Sequence, residues 1–123
     1  MKNWTKILDR TFCVLLAIAA VGHLFGTLTL YEIGSPIFVW SLSGVLAASM
    51  LVALNFLRSS RPADKSLAWI TLIGCLCWVG IAILFGLSIK NVFDPRSLLH
   101  ALAAAGLSVF SHQTLVSRSA VSQ

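Results

Sequence analysis

The chain has 123 residues, 58% of them hydrophobic and only 11% charged, with a formal net charge of +5. Ordinary soluble domains carry about 25% charged residues, and one modest soluble core could not hide four apolar runs of roughly 20 residues each, the length that crosses ~30 Å of hydrocarbon. The positive surplus is divided among short segments beside those runs, which is a signal for membrane orientation and lipid attraction and not a nucleic-acid footprint.

The first run extends from about Thr11 to Leu30 and the second from about Pro36 to Leu57; neither contains Asp, Glu, Lys or Arg. The third covers about Leu67 to Ile89 and the fourth about Ser97 to Ser117, the least apolar because of its histidines and serines. In lipid the backbone must satisfy itself within each segment, so the runs predict helices. The expected fold is therefore an all-α integral membrane protein: one domain, residues 1–123, forming an up-down bundle of four transmembrane helices.

The connections carry helix-start chemistry. Ser35-Pro36 and Asp94-Pro95 each pair an N-capping side chain with proline at the first helical position. The remaining loop, Arg58 to Ser66, contains Pro62 and Asp64 and defines its helix start only to within a few residues. An Ala17-Ile18-Ala19 triplet resembles a signal-cleavage site, but the apolar run continues to Leu30, which favours an uncleaved first helix.

Lys2, Lys6, Arg10, Arg58, Arg61, Lys65 and Arg118 fall on one side of the spans, against Lys90 and Arg96 on the other. Basic residues are retained on the cytoplasmic side, so both termini are expected there, in a membrane such as the bacterial inner membrane. Trp4 and Trp69 near one surface, with Tyr31 and Trp40 near the other, fit the same frame. Trp78 falls mid-span and is expected to turn its indole N–H towards another helix.

Helices in lipid approach closely through small residues. Gly22 and Gly26 supply such a face on the first helix, Ser41, Gly44, Ala48 and Asn55 on the second, and Ala104, Ser108 and Ser111 on the fourth. Ordinary packing within the chain is the expected use of these stripes, with a homo-oligomer or a larger membrane-protein partner as the alternative.

Ionisable side chains within spans are costly enough to be treated as functional candidates. His23 shares a face with Ala19, Ala20, Gly26 and Thr27, His100 begins the fourth helix, and His112 lies near its other end. With Glu32, Asn91, Asp94 and Arg96, His23 and His100 would form an outer-side cluster able to bind a polar headgroup or relay protons. The same two histidines are also candidate axial ligands for a b-type haem. Their depths, about seven residues below the outer surface for His23 and two or three for His100, differ by roughly 7 Å and count against a shared iron. No other metal or cofactor is expected. Cys13, Cys75 and Cys77 lie inside spans, and residues two apart on a helix point in nearly opposite directions, so the CLC sequence forms no redox pair.

Protease, hydrolase and phosphate-loop motifs are absent, as is any pair of acids within a span. Four spans in just over a hundred residues resemble the small multidrug exporters in size alone: those carry an essential acid in the first helix, where the first span here offers only His23. The leading expectation is a non-enzymatic accessory or scaffold subunit. A small transporter or binder of a polar or lipid-like molecule comes next, then a haem or quinone electron carrier.

Overall fold

A computed structural model describes residues 3–117, all of whose regular structure is helical: α1 (Asn3–Leu30), α2 (Pro36–Ser60), α3 (Lys65–Ser88) and α4 (Pro95–Val116). Lys2 and Arg118, two of the basic residues counted for orientation, lie outside the described residues. α1, α2 and α3 are long and apolar enough to cross a membrane. α4 falls short because of its polar residues, and four of these, Ser97, Ser108, Ser111 and Thr114, are buried against the other helices. Its outer face still presents Leu102, Val109 and Val116.

The proline-led starts are where the sequence places them. Ser35 caps α2 by accepting from the Phe38 amide, and Asp94 caps α4 by accepting from the Arg96 amide. The middle loop is shorter than expected, because α2 continues through Ser60 and Asp64 caps α3 by accepting from Leu67. α1 begins eight residues before the apolar run, since the polar segment Asn3–Arg10 keeps the helical hydrogen-bond ladder although it is not hydrocarbon-like. Gly34, at φ +87°, provides the left-handed residue that closes the α1–α2 turn.

α3 packs most extensively on α4; α1 packs on α2 and on α4, and α2 has only slight contact with α4. Cys13, Leu16, Leu51, Cys75, Ala103, Ala104 and Leu107 form the buried core, flanked by Phe12, Leu15, Val52, Trp78 and Val79. The closest backbone approaches are not at Gly22 and Gly26. A methyl group at either would meet nothing within 4 Å, whereas one at Gly106 would lie 2.5 Å from the Phe12 ring and one at Gly74 2.9 Å from Leu51. Neither glycine of the GxxxG pair is therefore needed for a close backbone approach within the chain. Ala48, Asn55 and Ala104 are fully buried, Ser108 nearly so, and Ser41 and Gly44 half-buried beside α1.

The start of α1, the end of α2, the start of α3 and the end of α4 meet at what we call the lower end; the opposite helix ends meet at the upper end. Every buried residue of α2 lies between Ala48 and Ser59, in its lower half.

Candidate functional site

Two polar assemblies occupy the interior. In the upper half, His23 of α1 and His100 of α4 stand with ring centroids 6.0 Å apart and planes at 89°. α4 starts at Pro95, two residues earlier than the apolar pattern implies, so His100 lies five residues into its helix and His23 seven from the end of its own. That difference of two residues is only ~3 Å. The depth mismatch expected from the sequence is thus cut by about half.

Each ring has a protein partner, and donor inventories fix the tautomers. The Trp78 indole has one N–H and no acceptor, and it donates to His100 Nδ1 at 3.2 Å. A neutral His100 therefore carries its proton on Nε2. At His23, the Thr27 hydroxyl donates to the His23 carbonyl at 2.8 Å. Thr27 has then spent its hydrogen, so in the 2.7 Å contact with Ser41 the donor is Ser41. Ser41 in turn has none left, and its oxygens accept from His23 Nε2, the carbonyl and the hydroxyl each at 3.2 Å. His23 Nε2 consequently carries a hydrogen, and in the neutral ring Nδ1 is then a lone-pair acceptor.

His23 remains exposed despite these bonds. No residue in the upper half of α2 is fully buried, and its cross-helix hydrogen bonds run to α1, where Ser41 meets the Nε2 edge of the His23 ring. Gly44 contributes to the space: a β-carbon there would already sit 3.4 Å from His23 Nε2.

The rest of the predicted outer cluster is otherwise engaged. Asp94 receives two bonds from the Arg96 guanidinium, each 2.9 Å, and one from the Arg96 amide. This pairing, led by the guanidinium, lowers the Asp94 carboxyl to about 2, and Arg96 also lies over the Phe85 ring at 5.7 Å. Asn91 caps the Phe93 amide at 3.2 Å. Glu32 has only its backbone carbonyl engaged, by the Ser35 amide. The residues brought together with the two histidines are instead Trp78, Ser41 and Thr27. His112 is exposed on the lower half of α4.

The second assembly lies at the lower end and centres on an ion pair. Arg58 Nη2 donates to Asp9 Oδ1 at 2.5 Å, and both side chains are 1% exposed. Arg58 Nη1 reaches Thr114 Oγ1 at 3.2 Å, and its Nε reaches Asn55 Oδ1 at 3.3 Å. The Asn55 amide donates onward to the Leu51 carbonyl and the Cys75 sulfur. Thr71 and Ser111 share a hydroxyl contact of 2.9 Å between α3 and α4. One oxygen of this assembly, Asp9 Oδ2, is buried and unpaired. Beside it, Lys65 Nζ donates to the carbonyls of Thr114, Leu115 and Ser117 at 2.5, 3.2 and 2.7 Å, closing the C-terminus of α4.

From the sequence, Arg58 and Lys65 count only as basic residues flanking the spans, and Asp9 has no role. A carboxylate just ahead of the first apolar run and a guanidinium just after the second signal a pair only once α1 is continued back to Asn3. α1 does then contain an acid, but it is held by Arg58.

Among the described residues no group of three or more His, Cys, Asp or Glu side chains has the arrangement of a metal site. Comparison with protein-family models, characterised proteins and solved structures gives no match to this chain.

Proposed function

We propose that the chain is a four-span membrane protein with both termini on the cytoplasmic side of a bacterial inner membrane, and that it holds an amphiphilic small molecule beside His23 and His100. The carrying observation is the His23 ring, which is tied by Ser41, set against His100, and still exposed. An imidazole roughly 10 Å inside the helix end is expensive in lipid unless it is used. The exposed bases Lys6, Arg10 and Arg61 at the lower end support the orientation. The buried polar face and apolar outer face of α4 support a fourth span. Binding without catalysis is the reading, since the hydroxyl bonded to His23, that of Ser41, accepts from the ring and donates to Thr27, and neither imidazole has a carboxylate bonded to it.

The test is purification in native-lipid discs followed by mass analysis and an absorption spectrum. A stoichiometric amphiphile that is lost from His23→Phe and His100→Phe, both retaining native helicity, is the expected result. Retention of that molecule by both variants would sink the proposal. A Soret band lost in both variants would convert it to the haem reading.

A second reading, an accessory subunit docking through α1, is favoured by the open Gly22 and Gly26 face. Because a β-carbon at either position meets nothing within 4 Å in the chain, Gly22→Leu with Gly26→Leu should leave the monomer folded while dissociating a homo-oligomer or larger complex, read by native mass spectrometry. An unchanged assembly would eliminate this docking face.

A further inference from the structure

We infer that the molecule held at His23 is recognised through a neutral hydroxyl that donates a hydrogen bond to His23 Nδ1. This rests on the ligand-binding reading above and names the chemistry of its headgroup. Around His23 the donors are fully assigned: Thr27 to the His23 carbonyl, Ser41 to Thr27, and His23 Nε2–H to Ser41. The remaining ring atom able to form a strong bond is Nδ1, and it can only accept while the imidazole is neutral. On the facing side, Trp78 fills the acceptor of His100, whose other ring nitrogen is turned to the Ala19 carbonyl of α1, so both nitrogens of His100 are engaged within the protein. A hydroxyl suits this setting because it can donate to Nδ1 without bringing a charge.

Charge narrows the class further. An ammonium could also donate, but ~10 Å below the helix end a full charge is costly, and neither imidazole has a carboxylate bonded to it that would offset a cation. Phosphate and carboxylate headgroups present acceptors where an acceptor already stands. Trp78, whose ring centroid is 5.7 Å from that of His100, adds an aromatic wall. The best-matched headgroup is thus a phenol-type or alcohol hydroxyl on an apolar tail, such as that of a hydroquinone or a sterol-like alcohol.

The test uses 4-octylphenol, its methyl ether 4-octylanisole, and octylamine, titrated calorimetrically against the full chain in lipid discs. The phenol should bind about tenfold more tightly than the ether, the order of one hydrogen bond, and His23→Phe should make the two equal. On unsubstituted protein, the nitrogen-15 resonance of His23 Nδ1 should move towards the protonated range with phenol and stay put with ether, which keeps the test independent of how the variant folds. Equal binding of phenol and ether, both lost in Trp78→Ala, would overturn the hydroxyl and leave the ligand site standing. Tighter binding of octylamine would overturn neutrality. Binding by none of the three, in a preparation from which no amphiphile co-purifies, would overturn both the hydroxyl and the site.

Discussion

The molecule contains two Asp–Arg pairs that use the same chemistry for opposite ends. Asp94 and Arg96 are two residues apart, and Arg96 is 65% exposed; together they finish one helix start, with the guanidinium lying over the Phe85 ring of α3. Asp9 and Arg58 are 49 residues apart and both 1% exposed, and through Thr114 and Asn55 they tie α1, α2 and α4 and reach Cys75 of α3. What separates them is solvent. Water already satisfies the first pair's members when they part, whereas each member of the second would be left as a bare charge in a dry interior. The upper end can therefore stay open around His23 because the lower end is locked.

Breaking the buried pair should give the largest effect. Arg58→Met strands the Asp9 carboxylate, whose second oxygen is already unpaired, and should cost about 3–5 kcal/mol. The double variant Asp9→Leu with Arg58→Met should be more stable than either single variant, measured by thermal unfolding in detergent. If the singles are no worse than the double, the pair does not act as a lock. Next comes the α1–α4 contact: Gly106→Ala, whose methyl would enter the Phe12 ring, should cost about 1–3 kcal/mol, while Gly22→Ala should not destabilise the isolated chain. Equal responses would dissolve the distinction between packed and open glycines.

Lys65→Met should cost about 1–2 kcal/mol and show first as faster amide exchange in the last turn of α4, with α4's start unaffected. Uniform exchange along α4 would refute the capping role. Smallest is Asp94→Ala, which should loosen only the first turn of α4. Since the Asp94 carboxyl is lowered to about 2 by the Arg96 hydrogen bonds, its contribution is complete above about 4, the ordinary carboxylate range, and fades as pH falls towards about 2. In the alanine variant that acid-dependent loosening should be missing. Its persistence would assign the effect to another carboxylate.

Helix existence and two of the three inter-helix starts were legible because both signals are local: apolar runs of spanning length, and Ser-Pro or Asp-Pro at the cap. The ion pair was not legible, because a charge beside an apolar run looks the same whether it ends in water or under another helix. Its identification needs the register between residues 49 apart. Similarly, the spacing of Gly22 and Gly26 says that two backbones can approach, but not that a second one does. The meeting of His23 with His100 was obscured by only two residues of helix boundary, and Trp78, expected to turn its N–H to another helix, supplies the bond that orients His100.

The Arg58 lock also has an order in time. Its partners are spread from the ninth residue to the hundred-and-fourteenth, so during synthesis Asp9 can be neutralised once α2 has emerged, but Thr114 and the Lys65-held carbonyls arrive only with the last turn of α4. A chain halted before that point carries a partly filled guanidinium and a free ammonium at its membrane surface.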